Sequence, residues 1–491
     1  MSTCHKQNGN PSVYDIVIIG AGVIGASVAM ELSRYKLRIA LLEGENDVAC
    51  GTSRANSAIV HAGYDPKPGT QMARLNVRGN RLMKQYAKAL SVPLLETPSL
   101  VLGYNEKDMH VLQELLDNAR ANGLDHAEIL GKDAVIDLEP NISRDIRFAL
   151  YSKDSGIIDP MRYTFAVAET AVRNGVDFYR SFPVSSINRA ENIFTVSDGN
   201  RTIHANFIIN AAGLYADRIH ALAGGSGFTT RVVRGQYFLL DKSMGKLVNN
   251  VIFTVPTDKG KGVLVSPTVH GNLIVGPDAQ KTTDAASTLT DAEGLRLIRE
   301  MAEHMVNGIN FRDNIRNFAG NRAYTEHEDF VIAMSEQVPN FLNLAGIKSP
   351  GLTSAPAIAE DAAKLCREAG ICLIEKDQFI CTREAVNFKH RSLAEKKELI
   401  AKNPLYARII CRCETISEGE IVDALHGPIP PVSIDGVKRR LGSGMGRCQG
   451  GFCTPLLVEI LARELGIDPT EVRKSTESST LLVGKTKGAK A

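Results

Sequence analysis

Tyr14-Asp15-Ile16-Val17-Ile18-Ile19-Gly20-Ala21-Gly22-Val23-Ile24-Gly25 is the stretch on which the fold turns. Tyr14–Gly20 is a short β-branched run of the kind a buried parallel strand needs. Gly25–Tyr35 follows in a helical pattern, and Leu37–Glu43 (LRIALLE) is the next apolar strand. Strand, helix and strand within about 30 residues make a βαβ unit. Between the first strand and the helix lies G-x-G-x-x-G, formed by Gly20, Gly22 and Gly25. In such a motif the first glycine permits the tight turn, the second lets backbone approach a pyrophosphate, and the third allows close helix–strand packing. The helix amino terminus offers N–H groups and a favourable dipole to phosphate. Glu43 ends the second strand, where a carboxylate accepts hydrogen bonds from a ribose hydroxyl. A dinucleotide is implied, and the motif by itself does not separate FAD from NAD.

Working outward, two more strands close on glycine: Phe207–Ala212 before Gly213, and Phe341–Gly346 before a helix at Ala355–Glu368. They lie far from the first, so one sheet is expected from separated segments. Between them, Gln236–Leu240, Val263–Ser266 and Asn272–Val275 are short strands bounded by Gly, Pro and Asp turns, as in an antiparallel sheet. The chain has 491 residues, which predicts two to four domains. Its 57 Lys+Arg against 55 Asp+Glu leave no basic excess for nucleic acid. Met1–Ser12 is polar and lacks the pattern of a secretory signal. No apolar window is long enough to span a bilayer. A cytoplasmic protein is expected, with peripheral attachment to the inner face of a membrane left open. In that compartment clustered cysteines point to metal rather than to a disulfide framework.

The residues after Glu43 speak to the cofactor. Gly51-Thr52-Ser53-Arg54-Ala55-Asn56-Ser57-Ala58-Ile59-Val60-His61-Ala62-Gly63 resembles the flavin-wrapping loop of FAD-dependent oxidoreductases of the D-amino-acid-oxidase superfamily. The likeness extends over about residues 13–370. It includes Ile209-Asn210-Ala211-Ala212-Gly213 with Ala216-Asp217, and Gly346-Ile347-Lys348-Ser349-Pro350-Gly351-Leu352-Thr353. The last stretch is similar to the turn that delivers N–H groups to the flavin pyrimidine edge. The resemblance implies FAD, held by Gly20, Gly22, Gly25, Glu43, Thr52, Ser53, Ser57, Ala212, Gly213, Gly351, Leu352 and Thr353.

Four of the nine cysteines crowd together: Cys411-Arg412-Cys413, then Cys448-x₄-Cys453 after 34 residues. Two close thiol pairs suit an iron–sulfur cluster or a tetrahedral metal, although zinc pairs are usually spaced more widely than C-x-C. The glycine-dense loop Leu441–Gly451 places N–H donors near Cys448. Thr415-Ile416-Ser417-Glu418 offers a capping box for the following helix. About residues 408–466 resemble the bacterioferritin-associated-ferredoxin-like [2Fe–2S] domain, which implies Cys411, Cys413, Cys448 and Cys453 as cluster ligands.

The expected architecture is therefore α/β with α+β. It comprises a Rossmann-like FAD-binding domain (13–90, 150–235 and 315–370) and an inserted antiparallel-sheet substrate domain (91–149 and 236–314). A connector (371–405), a small helical [2Fe–2S] domain (406–468) and a flexible tail (469–491) complete the chain.

A flavin that oxidises a C–H bond needs a base for the hydroxyl or amine proton. His61 in the flavin-wrapping loop is the candidate base, with a hydrogen-bonded flavin contact as its alternative role. Arg322 stands where related dehydrogenases place an arginine facing substrate, and its fork suits a phosphate or carboxylate. Lys348 in the flavin turn would stabilise negative charge on the reduced ring or orient the substrate. Arg234 and Tyr237 are second-line contacts, His270 reads as a surface residue, and His327 is ambiguous.

A one-electron cluster beside a two-electron flavin implies a dehydrogenase that passes electrons singly to a partner carrier. The pairing of domains is similar to the large subunit of anaerobic, membrane-associated glycerol-3-phosphate dehydrogenases. The loop Asn56–Gly69, Arg234–Leu240 and Gly276-Pro277 are closer to L-2-hydroxyglutarate dehydrogenases. Both substrates are small anionic secondary alcohols. The cluster domain favours sn-glycerol 3-phosphate, with L-2-hydroxyglutarate as the alternative. A third reading is an electron-transfer subunit that binds FAD and the cluster but no substrate.

Overall fold

The computed structural model describes residues 13–256 and 262–484. Strand Val13–Ile19, buried at six of its seven positions, takes the centre of an eight-stranded sheet. It pairs in parallel with Ile39–Leu42 on one side and Thr202–Asn210 on the other. Asp177–Tyr179 and Phe341–Ala345 extend the parallel sheet outward. Val331–Met334 then runs antiparallel to Phe341–Ala345. Apolar runs such as IVII can be buried on both faces only where other elements cover them. Helix Val23–Leu32, seated between Pro160–Arg173 and Gly351–Glu368, covers one face, and Phe182, Phe194, Val196 and Ile219 cover the other.

The second sheet has nine strands and is antiparallel except where Val251–Thr254 meets Ser99–Gly103. Its longest ladder joins Arg231–Leu240 to Asn314–Tyr324. This moves the seams between domains. Residues 231–235 and 315–324, expected in the FAD-binding domain, belong to the substrate sheet. The boundary expected at 149/150 cuts strand Phe148–Ser152, which pairs with Ser99–Gly103 in that sheet. The reason is the ladder: ending either long strand at the expected point would leave buried N–H and C=O groups unpaired.

The connector is part of the packing. Lys36 N–H donates to the Ile374 carbonyl at 2.7 Å, Arg383 pairs with Glu169 at 2.7 Å, and the Phe388 N–H donates to Glu420 Oε1 at 3.1 Å. The charged run within it forms the helix Leu393–Lys402, capped by Ser392 and Glu395.

From Ile409 a separate small core forms around Ile410, Ile421, Leu425, Val437, Leu457 and Leu461. Helices Glu418–Leu425, Ile434–Leu441 and Thr454–Leu465 surround it. The first is capped two residues later than expected. Ser417 and Glu420 form the capping box, because Thr415 adopts φ +55° in the turn between the two strands of the module. The expected flexible tail is also corrected over 469–484. Val472 is buried in this core, and the Ile434 and Asp435 N–H groups donate to the Arg473 and Lys474 carbonyls at 3.1 and 2.8 Å. A polar composition concealed one buried valine and a short backbone ladder. Residues 485–491 and Met1–Ser12 lie outside the described residues. Among the described residues, no helix is long and apolar enough to cross a membrane.

Candidate active site and cluster site

The glycine turn is shaped by close approach. Gly20 has φ +106°, and a Cβ there would lie 2.5 Å from the Ala211 carbonyl oxygen. A Cβ on Gly25 would lie 1.9 Å from the Gly20 oxygen, so the helix can start this near the strand only without a side chain. The first turns of Val23–Leu32 and of Gly351–Glu368 carry no acidic residue. Their positive ends are therefore not neutralised from within, and both reach one cavity of about 1560 Å³.

The wall of that cavity includes Gly20, Gly22, Glu43, Thr52, Ser53 and Ser57, and further on Ala212, Gly213, Gly351 and Leu352. Glu43 Oε2 accepts the Ala21 N–H at 2.8 Å and Oε1 accepts the Glu45 N–H at 2.9 Å. Burial pushes its carboxyl up to about 7 despite those two donors. The Ser53 hydroxyl accepts the Val23 N–H at 2.9 Å, and the Thr52 hydroxyl donates to the Asn321 carbonyl at 2.6 Å. These two hydroxyls fasten the wrapping loop to the helix start and to the substrate sheet. Thr353 is turned away from the cavity. Its Oγ1 accepts the His61 N–H at 2.9 Å and donates to the Ile59 carbonyl at 3.3 Å. Its side chain thus sets the loop rather than facing the cavity.

The three residues expected to act on substrate, His61, Arg322 and Lys348, all line this cavity. His61 Nε2 is hydrogen-bonded to Ser349 Oγ at 3.0 Å, and Asn76 and Asn80 donate to its carbonyl. Arg322 is on the strand Asn314–Tyr324. Burial opposes its charge, yet Tyr237 and Tyr324 beside it hold the guanidinium above its ordinary range. Gly235 makes the room, since a Cβ there would come 2.1 Å from an Arg322 terminal nitrogen. Lys348 Nζ sits 4.8 Å from the centroid of the Tyr324 ring.

Alternation along Arg231–Leu240 sorts the second-line residues. Tyr237 faces the cavity, stacked on Phe318 at 4.8 Å and 3.2 Å from the Ser57 hydroxyl. Arg234 faces the other way, donating to Gln280 at 2.5 Å and Asp291 at 3.1 Å. His327 is exposed and is not part of the wall. His270, expected at the surface, is on the cavity wall, with Nε2 2.8 Å from Asp159 Oδ2. Arg162 shares that carboxylate oxygen at 3.3 Å. Ser349 and Tyr324 were not singled out from the sequence. Tyr324 is two positions from Arg322 on one strand, so alternation alone places both on the same face.

The cysteine module forms another part of the same wall through Ile416, Met445 and Gln449. Cys413 and Cys448 are exposed, with sulfurs 3.6 Å apart, while Cys411 and Cys453 are buried and hydrogen-bonded to one another. The Gly444 and Glu414 N–H groups donate to Cys411, and those of Phe452 and Gly450 to Cys448. Gly446 lets the loop pass over Cys413, where a Cβ would come within 2.3 Å. Among the described residues, no three His, Cys, Asp or Glu side chains surround one point as a mononuclear ion requires. Two thiol pairs, each joining the C-x-C turn to the Cys448–Cys453 loop, fit the two irons of a [2Fe–2S] cluster better than one zinc.

Comparisons with known proteins agree with this geometry. Residues 15–365 match the model of the FAD dependent oxidoreductase family, and residues 409–463 match the BFD-like [2Fe–2S] binding domain. A glycerol 3-phosphate dehydrogenase of Caloramator mitchellensis is 46% identical over 97% of this chain and 99% of its own length. An FAD-bound L-alpha-glycerophosphate oxidase from Mycoplasma pneumoniae superimposes with a TM-score of 0.72 at 33% identity, covering 76% of this chain and 99% of that one. The L-2-hydroxyglutarate dehydrogenase of Escherichia coli is 31% identical over 54% of this chain and 64% of its own length. The chain belongs to the FAD dependent oxidoreductase family and carries a BFD-like [2Fe–2S] binding domain at its carboxyl end.

Proposed function

We propose that this protein is an FAD-dependent dehydrogenase that oxidises sn-glycerol 3-phosphate to dihydroxyacetone phosphate and passes the electrons through its [2Fe–2S] cluster to a partner carrier. The observation that carries the reading is the full-length likeness to the glycerol 3-phosphate dehydrogenase of Caloramator mitchellensis, which spans both cofactor domains. The likeness to the L-2-hydroxyglutarate dehydrogenase of Escherichia coli covers 54% of this chain.

FAD, when bound, supplies the acceptor for the hydride that leaves C2 of the substrate. The protein supplies the rest. Arg322 holds the phosphate with its guanidinium fork, at a position fixed by Tyr237, Tyr324 and the space over Gly235. His61, steadied by Ser349, takes the hydroxyl proton as the C2–H bond breaks. Lys348 adds positive charge where negative charge collects in the product complex. The cysteine module, when loaded, would supply a one-electron acceptor for the reduced flavin, and its Ile416, Met445 and Gln449 line the same cavity.

The test is anaerobic bleaching of the flavin band near roughly 450 nm. Glycerol 3-phosphate is expected to bleach the FAD-loaded protein and L-2-hydroxyglutarate to leave it oxidised. Bleaching by L-2-hydroxyglutarate alone reverses the choice of substrate. Bleaching by neither leaves an electron-transfer subunit and ends the dehydrogenase reading.

A further inference from the structure

A buried ion cluster joins the dinucleotide-binding domain to the cysteine module. Asp47, four residues beyond Glu43, has 0% exposure, and its partners Arg439 and Arg440 have 4% and 6%. Asp47 Oδ2 accepts from Arg440 Nη1 at 2.6 Å and from Arg439 Nη2 at 3.1 Å, and Oδ1 accepts from Arg440 Nη2 at 2.7 Å. Both arginines belong to helix Ile434–Leu441 of the cysteine module. The Arg440 guanidinium also donates to the Gly436 and Ile429 carbonyls at 2.9 and 2.8 Å, and it lies 4.0 Å from the centroid of the Phe165 ring. Gly436 admits the carboxylate: a Cβ there would sit 3.0 Å from Asp47 Oδ2.

The segment bearing Asp47 is itself tied to the glycine turn at two points. Glu43 Oε2 accepts the Ala21 N–H at 2.8 Å, and the Ala49 N–H donates to the Ala21 carbonyl at 3.2 Å. The dinucleotide turn is therefore connected through residues 43–49 directly to the helix that flanks the cysteine loop. Hydrogen bonds from arginine to backbone run alongside. Arg162 donates to the Leu441 carbonyl at 2.7 Å and Arg180 to the Pro430 carbonyl at 2.8 Å.

A buried ion cluster adds little stability over an apolar contact of the same shape, and its best-supported use is to fix one register. Here the register is the placement of the cluster module over the flavin cavity. We infer that Asp47 is a positioning residue for electron transfer, clasping the [2Fe–2S] module to the dinucleotide turn so that flavin and cluster keep a fixed separation. The inference rests on the proposed electron route. Each substrate oxidised yields two electrons, which leave the reduced flavin one at a time through the cluster to a one-electron carrier. The substrate protons pass to His61 and the flavin and then to solvent. Loosening the clasp changes the second stage of this sequence and leaves the first alone.

The experiment uses the full chain loaded with both groups, as wild type, Asp47→Asn and Arg440→Lys, with flavin and iron content measured for each. Arg440→Lys keeps the charge and loses the fork. Glycerol 3-phosphate is mixed in anaerobically, and flavin bleaching is followed alongside the electron paramagnetic resonance signal of the reduced cluster. Flavin bleaching is expected at the wild-type rate in both variants. Cluster reduction is expected to be about tenfold slower in Asp47→Asn, at the low end of the loss that follows removal of an outer support, and less slowed in Arg440→Lys. Cluster reduction at the wild-type rate, or equal slowing of both stages, overturns the inference. If Asp47→Asn does not load both groups, Arg440→Lys decides by the same two outcomes. If glycerol 3-phosphate leaves the wild-type flavin oxidised, the substrate reading fails, and flash photoreduction of the flavin replaces the substrate in testing the clasp.

Discussion

Residues 13–53 and residues 409–454 each prepare a site for a bound group, the first with peptide N–H groups and the second with thiols. In the dinucleotide cradle, side chains mostly hold the loops. Ser53 fastens the wrapping loop to Val23, Thr52 fastens it to Asn321, and Gly25 contributes by having no side chain. In the cysteine module the backbone supports and the thiols converge, with the Gly444, Glu414, Gly450 and Phe452 N–H groups directed at sulfur. A site made of backbone fails when volume is added, and a site made of thiols fails when one atom is exchanged.

Glu43 and Asp47 repeat the contrast within one short segment. Burial pushes Glu43 up to about 7, because it faces a cavity and has only two N–H partners. Burial also opposes the Asp47 charge, yet Arg440 and then Arg439 hold it below the ordinary carboxylate range. One carboxylate is held by two peptide N–H groups and the other by two guanidinium groups.

The largest expected effects break one site and spare the other. Cys448→Ser should lose iron and acid-labile sulfide while keeping FAD, and unchanged iron content would contradict the ligand assignment. Gly25→Val should do the reverse, losing FAD and retaining iron, because its side chain has to enter the space of the Gly20 carbonyl. Smaller in effect is His61→Gln, expected to lower the rate of flavin bleaching by about 10²–10⁴, the range of a lost general base. Unchanged FAD content in that variant would separate chemistry from binding.

Next comes Asp47→Asn, which leaves two buried guanidinium groups uncompensated and is expected to cost about 3–5 kcal/mol. An earlier unfolding transition for residues 409–484 would register it. The wild-type contribution of Asp47 is present above the unfolded carboxylate pKa and is lost as pH falls through its depressed folded value. Glu43 has the opposite sign. Its folded value near 7 exceeds the unfolded one, so the FAD-free protein should lose about 1–3 kcal/mol as pH rises from 5 to 8. Glu43→Gln should flatten that profile. A profile as steep in the variant as in wild type would remove Glu43 as the cause.

Local pattern made several features readable. The βαβ unit, the glycine spacing and the thiol pairs depend on residues within a few turns of one another, where steric and hydrogen-bonding rules act on sequence directly. The placement of Arg322 and Tyr237 on the cavity and Arg234 away from it also follows strand alternation. Features that depend on distant partners were not readable. The seams at 231 and 324 exist because two strands some 80 residues apart form one ladder. His270 faces the cavity because Asp159 holds it there, and Thr353 turns away because the backbone of Ile59 and His61 takes its hydroxyl.

By itself the sequence determined the FAD-binding βαβ core, the [2Fe–2S] domain and the class of reaction, since these are carried by short motifs whose chemistry needs particular residue types. Only the tertiary structure decided that the cysteine module forms part of the wall of the dinucleotide cavity. The pair that clasps them, Asp47 and Arg440, is separated by 393 positions and has no local signature. A carboxylate and a guanidinium become partners only after folding has removed both from water, and that pairing joins the segment after Glu43 to helix Ile434–Leu441.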